Sequence, residues 1–139
     1  MADLPRSPLV PVSWGEVLDK ITILEIKAEL IGDSGARANV TRELRRLEEI
    51  ASAARVVSGV APLVVRLKAA NQTLWGVEDA IREREAAGDF GSEFIELART
   101  VYRTNDLRAA LKRELNAVLG SEYVEEKCYA GSGGQRALA

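Results

Sequence analysis

Ser13-Trp14-Gly15-Glu16-Val17-Leu18-Asp19-Lys20-Ile21-Thr22-Ile23-Leu24-Glu25-Ile26-Lys27-Ala28-Glu29-Leu30-Ile31 decides the fold. It opens with Ser-x-x-Glu, a capping box in which Ser13 and Glu16 each satisfy an amide left orphaned in the first helical turn. Trp14, Val17, Leu18, Ile21, Leu24, Ala28 and Ile31 follow at mixed spacings of three and four, one face of a helix, and a helix is expected over 14–31.

The same spacing recurs along the chain. Val40, Leu44, Leu47, Ile50, Ala54 and Val57 predict a helix over 38–57, and Leu63, Val64, Leu67, Ala70, Leu74, Val77 and Ile81 predict one over 61–87. Phe94, Leu97, Val101, Leu111, Leu115 and Val118 predict a fourth over 92–119, stopped by Gly120. Short Gly-bearing turns join the segments, so the expected fold is all-α, an antiparallel four-helix bundle. Leu9-Val10-Pro11-Val12 and the stretch Tyr123 to Tyr129 are extended or alternating, and are placed to meet as a minor strand pair. The expected organisation is a flexible N-terminal segment over 1–8, one helical domain over 9–130 and a flexible Gly-rich tail over 131–139.

Composition excludes much. With 139 residues, 47% of them apolar, one core is affordable without any cofactor, and none is expected. The 19 basic and 21 acidic residues leave a net charge of −2, unlike a protein that neutralises nucleic-acid phosphates, so no nucleic-acid partner is expected. No run approaches the roughly 20 apolar residues of a membrane span. Pro5, Pro8 and Pro11 stand where a signal peptide would be apolar, and Cys128 is the lone thiol, which together predict a cytoplasmic protein. The absence of histidine removes the Ser-His-Asp and Cys-His mechanisms and the His-bearing zinc and di-metal sites; no metal is expected. Glu78-Asp79 with Glu83 and Glu85 lacks the spacing and phosphate loop of a magnesium site, and Gly88-Asp89-Phe90-Gly91 is a turn rather than a kinase motif. Arg42, Arg45 and Arg46, diluted by Glu43, Glu48 and Glu49, read as an ordinary solvated face.

Glu25, Asn71, Glu78, Asn105 and Arg108 interrupt the apolar stripes, and a polar group inside a bundle must find a partner or lose roughly 1–3 kcal/mol. Asn71 and Glu78 lie two turns apart with Trp75 between them, and Arg82 is one turn further on. These residues are expected to converge as a buried polar network that fixes helix register, or as a pocket with Glu78 or Glu25 as acid/base, Arg108 as anion clamp and Trp75 as stacking wall. Asp19-Lys20 reads as part of a solvated face.

Five blocks carry a resemblance: Ser13-Trp14-Gly15-Glu16 with Asp19-Lys20 and Thr22 to Lys27; Leu74-Trp75 with Glu78-Asp79 and Ile81-Arg82; Phe94 to Arg99 with Val101-Tyr102 and Thr104-Asn105-Asp106; Leu119 to Glu122; and Val124 to Lys127. Over roughly residues 9–129 the chain resembles an uncharacterised family of small bacterial helical proteins. The resemblance implies a setting near sugar-transfer and envelope-polysaccharide machinery and brings no catalytic residues with it. Cys128 departs from the serine of that pattern, as does the Gly-rich tail.

At about 1.5 Å per residue the last two helices should span about 40 Å, against about 27 and 30 Å for the first two, so some helix is left over. The second turn is apolar on nearly every side, and Ile50, Val56, Val57, Val60, Leu63 and Val64 are expected to mediate self-association, most simply as a homodimer. The expected function is a non-catalytic helical interaction module, with a protein partner or a second copy. The alternative is a binder of a small polar ligand such as a sugar nucleotide or phosphate compound, or a carboxylate-dependent enzyme, with its site in the bundle core.

Overall fold

The computed structural model describes residues 3–128 and contains four helices: α1 (Trp14–Leu30), α2 (Ser34–Arg55), α3 (Val60–Ala86) and α4 (Ser92–Val118). They pack as an all-α four-helix bundle with no strand among the described residues. The expected strand pair is therefore absent over its described part, and Tyr129 and the Gly-rich tail lie outside the described residues. Leu9 to Val12 are exposed, while the segment after α4 folds back along that helix through Lys112–Glu125 (3.0 Å) and Lys127–Asp106 (3.1 Å) contacts. Charge, rather than a β-ladder, fixes its course.

Helix ends follow local chemistry. Asp33 caps α2 by accepting a hydrogen bond from the Ala36 amide at 2.7 Å, so α2 starts at Ser34, four residues before the expected boundary at 38. Gly88 and Gly120, with φ of +65° and +61°, close α3 and α4 in the left-handed conformation that a Cβ disfavours. In both, the next residue's amide bonds back to a carbonyl five residues earlier, Asp89 to Arg84 and Ser121 to Asn116. The capping box of α1 is only half formed: Ser13 Oγ accepts from the Glu16 amide at 3.1 Å, but the Glu16 carboxylate instead meets Lys112 at 2.8 Å.

α1 is the central element. It packs against α2, α3 and α4, whereas no Cα of α2 comes within 8 Å of α4. A helix with three neighbours must bury more than one stripe, and α1 has two. Leu18 and Ile21 join Ala51, Val60, Leu63, Val64, Leu67, Leu111 and Leu115 in the main core, and each large apolar side chain buried there contributes roughly 1.5–3 kcal/mol. The second stripe, Gly15, Asp19, Thr22 and Ile26, is buried as well. The core also corrects the self-association reading: Val60, Leu63 and Val64 are interior residues of the single chain, leaving only Ile50, Val56 and Val57 of that set exposed. Pro62 lies within the first turn of α3, where a missing amide proton removes no helical bond, so the apolar start of α3 turns inward.

The surplus helix length emerges at the opposite end. From Glu78 to Arg108 no side chain is fully buried, as befits two helices with no third layer over them. This arm is an antiparallel hairpin, its turn pinned by Arg84 bonds to Asp89 (3.2 Å) and Glu93 (2.8 Å).

Candidate functional site

Asp19 is the centre of the polar interior. It is 3% exposed, and two side chains deliver three hydrogen bonds to its carboxylate. Arg108 donates through Nε to Oδ1 at 2.8 Å and through Nη2 to Oδ2 at 2.5 Å, a bidentate fork, and Asn71 Nδ2 donates to Oδ1 at 2.9 Å. Asn71 Nδ2 also donates to Thr22 Oγ1 at 2.9 Å, and the Thr22 hydroxyl donates to the Asp19 carbonyl at 2.8 Å. Three helices are thereby tied at one point: Asp19 and Thr22 from α1, Asn71 from α3, Arg108 from α4. The carboxylate raises the Arg108 pKa against the opposing pull of burial, so this cation does not titrate.

A second cluster lies one turn away. Lys112, 7% exposed, meets Glu16 at 2.8 Å and Glu125 at 3.0 Å. Burial draws its ammonium pKa down, but hydrogen bonds to Glu16 and Glu125 outweigh that effect and the net displacement is upward from 10.5. Beside it α1 approaches α4 so closely that a Cβ on Gly15 would stand 2.7 Å from the Lys112 carbonyl oxygen. The first amides of α1 are all taken: Trp14 by Ser121 Oγ (3.2 Å), Gly15 by Asn116 Oδ1 (2.7 Å) and Glu16 by Ser13 Oγ. Asn116 Nδ2 is the one buried side-chain polar atom without a hydrogen-bond partner among the described residues.

The expected site residues divide. Asn71, Trp75, Glu78, Arg82, Asn105 and Arg108 line one open groove of about 640 Å3 between α1, α3 and α4, with Ile23, Ile26, Leu74 and Val101 as apolar walls. Glu25 does not belong to it. Its carboxylate meets Lys68 at 3.0 Å and Arg55 at 3.6 Å, with Glu29 holding the same lysine at 2.9 Å, because Glu25 lies in line with Leu18 and Ile21 rather than with Asp19. Hydrogen bonds to Glu29 and then Glu25 raise the Lys68 pKa.

Glu78 is not interior either: its side chain is 56% exposed, and its one ion pair among the described residues is with its own helix's Arg82, at 3.5 Å. The residue that sequence reasoning missed is Asp19, assigned to a solvated face. The available signal was its place in line with Gly15, Thr22 and Ile26, a stripe too polar to register as apolar.

Chemically the centre is closed. Both Asp19 oxygens are engaged, and Glu25 and Glu78, the two acid/base candidates, each face a cation. The groove above it keeps some free valence: Asn71 Oδ1 accepts no hydrogen bond among the described residues, and the Trp75 and Asn105 side chains make none. No group of three or more Cys, Asp or Glu side chains among the described residues is gathered to hold a metal ion, and no described helix is long and apolar enough to cross a membrane.

No protein-family model, curated protein or solved structure matches this chain.

Proposed function

We propose that this chain is a non-catalytic helical interaction module. One observation carries the reading: the buried carboxylate is saturated within the chain by Arg108 and Asn71, so the interior has the paired, closed form of a register-fixing network rather than the poised form of an acid/base. Exposed apolar side chains support it, Val56 and Val65 at the second turn and Phe90, Ile95 and Tyr102 on the arm, each at least 46% exposed. The resemblance carried by the sequence blocks points such a module toward an envelope-polysaccharide setting.

A second reading, a small polar ligand in the groove, is favoured by the unengaged Asn71 Oδ1 and Asn105 amide. A thermal-shift panel of sugar nucleotides, phosphorylated sugars and divalent ions separates the two. The module reading expects no saturable shift; a shift that rises with one compound and vanishes in Asn105→Ala would replace it with the ligand reading.

A further inference from the structure

Two exposed faces of the molecule carry opposite charge. On the outward side of α2, Arg37, Arg42, Arg45 and Arg46, with Glu49 as the one acid, line a trough of about 700 Å3. Glu43, the only carboxylate among residues 37–46, is drawn off to Lys20 of α1 at 2.6 Å. Arg46 reaches Glu49 at 3.2 Å, but Arg42 and Arg45 are in no ion pair among the described residues. The fold thus removes one of the acids that diluted this run in the sequence.

The arm has the reverse balance. From Glu78 to Arg103 seven carboxylates stand against four guanidinium groups. Each of those four already faces an arm carboxylate: Arg82 faces Glu78, Arg84 faces Asp89 and Glu93, and Arg99 and Arg103 share Glu96. Asp79, Glu83 and Glu85 are left in no ion pair among the described residues. Where the arm meets the body, Asp79 shares the groove with Trp75, Asn105 and the unengaged Oδ1 of Asn71, a residue only 6% exposed; the two guanidinium groups that also line it, Arg82 and Arg108, are paired with Glu78 and Asp19.

We infer that the arginine face of α2 in one copy docks against the acidic arm and Trp75 groove of a second copy of this chain. The inference rests on the interaction-module reading and names its partner. Arginine suits the groove because its planar guanidinium stacks on an indole face while donating in its own plane to carboxylate and amide oxygens. Trp75 supplies the ring; Asp79, Asn105 and Asn71 supply the oxygens. Each copy carries both faces, and the inferred assembly is the closed one, a two-fold pair that makes this contact twice. The faces are open to water, which makes the contact one of charge complementarity and therefore sensitive to salt.

Multi-angle light scattering with sedimentation equilibrium tests this on the full chain. Dimer mass is expected at high micromolar protein in low salt, reverting toward monomer near 1 M NaCl, where the Debye length falls to about 3 Å. Arg42→Glu with Arg45→Glu, and separately Asp79→Arg with Glu83→Arg, should each weaken self-association by about tenfold or more. Mixing the two variants should restore dimer mass, since one contact is then native and the other fully reversed. Unchanged helical circular dichroism of each variant establishes that it folds. A strict monomer in low salt overturns the inference while leaving the module with a different partner; a dimer indifferent to both variants overturns it as well. A groove ligand found in the thermal-shift panel would instead overturn the module reading itself.

Discussion

Removing the Asp19 carboxylate should be the most costly single change in the polar interior. Asp19→Ala deletes the bidentate link to Arg108 and the Asn71 bond, and strands a guanidinium whose side chain is 28% exposed beside an amide that is 6% exposed. Breaking one side of a buried pair costs about 3–5 kcal/mol, and the water still reaching Arg108 places this case at the lower end, about 3 kcal/mol. For a domain of this size each kcal/mol displaces Tm by roughly 4 °C, so the variant should melt about 12 °C lower. Urea denaturation gives the free energy directly. The decisive comparison is Asp19→Ala with Arg108→Met, which removes the stranded charge too. If the link is a closed pair, the double variant should recover about 2 kcal/mol relative to the sum of the singles. A loss under about 1 kcal/mol for Asp19→Ala, or a cycle additive within about 0.5 kcal/mol, would refute the assignment of this carboxylate as the centre.

Glu78→Gln should change stability by less than about 0.5 kcal/mol in the same urea titration, because it breaks only an exposed pair with Arg82. Two glycines make a matched test of helix packing by thermal melting. Gly15→Ala should cost about 1–3 kcal/mol, since the Lys112 carbonyl oxygen would lie 2.7 Å from the new methyl. Gly76→Ala, with nothing within 4 Å, should stabilise α3 by about 0.5–1 kcal/mol. Lys112 and Lys68 hold their protons more tightly folded than unfolded, so their stabilisation is complete below pH 10.5 and is lost as pH rises through the folded values. Melting curves above pH 10.5 should therefore fall more steeply for the native chain than for Lys112→Met; parallel curves would show that Lys112 contributes nothing.

By itself the sequence determined the four helices and the joins between them. Apolar residues at three-and-four spacing, the Ser13 cap and the Gly88 and Gly120 stops act within a few residues of themselves, so they are legible without knowing any neighbour. That six of the seven singled-out residues face one groove was also legible, because Asn71, Trp75, Glu78 and Arg82 share one side of α3 while Asn105 and Arg108 lie three apart on α4. The tertiary structure decided which of them is dry. A helix touching one partner buries one stripe, but α1 touches three, so the polar line through Gly15, Asp19, Thr22 and Ile26 went inside and Glu25 was left to lysine and arginine at the edge. It likewise decided that Val60, Leu63 and Val64 close the core instead of a dimer, and that the spare length of α3 and α4 becomes an arm. Burial depends on how many elements surround a residue, and that number is a property of the packed chain that no local pattern encodes.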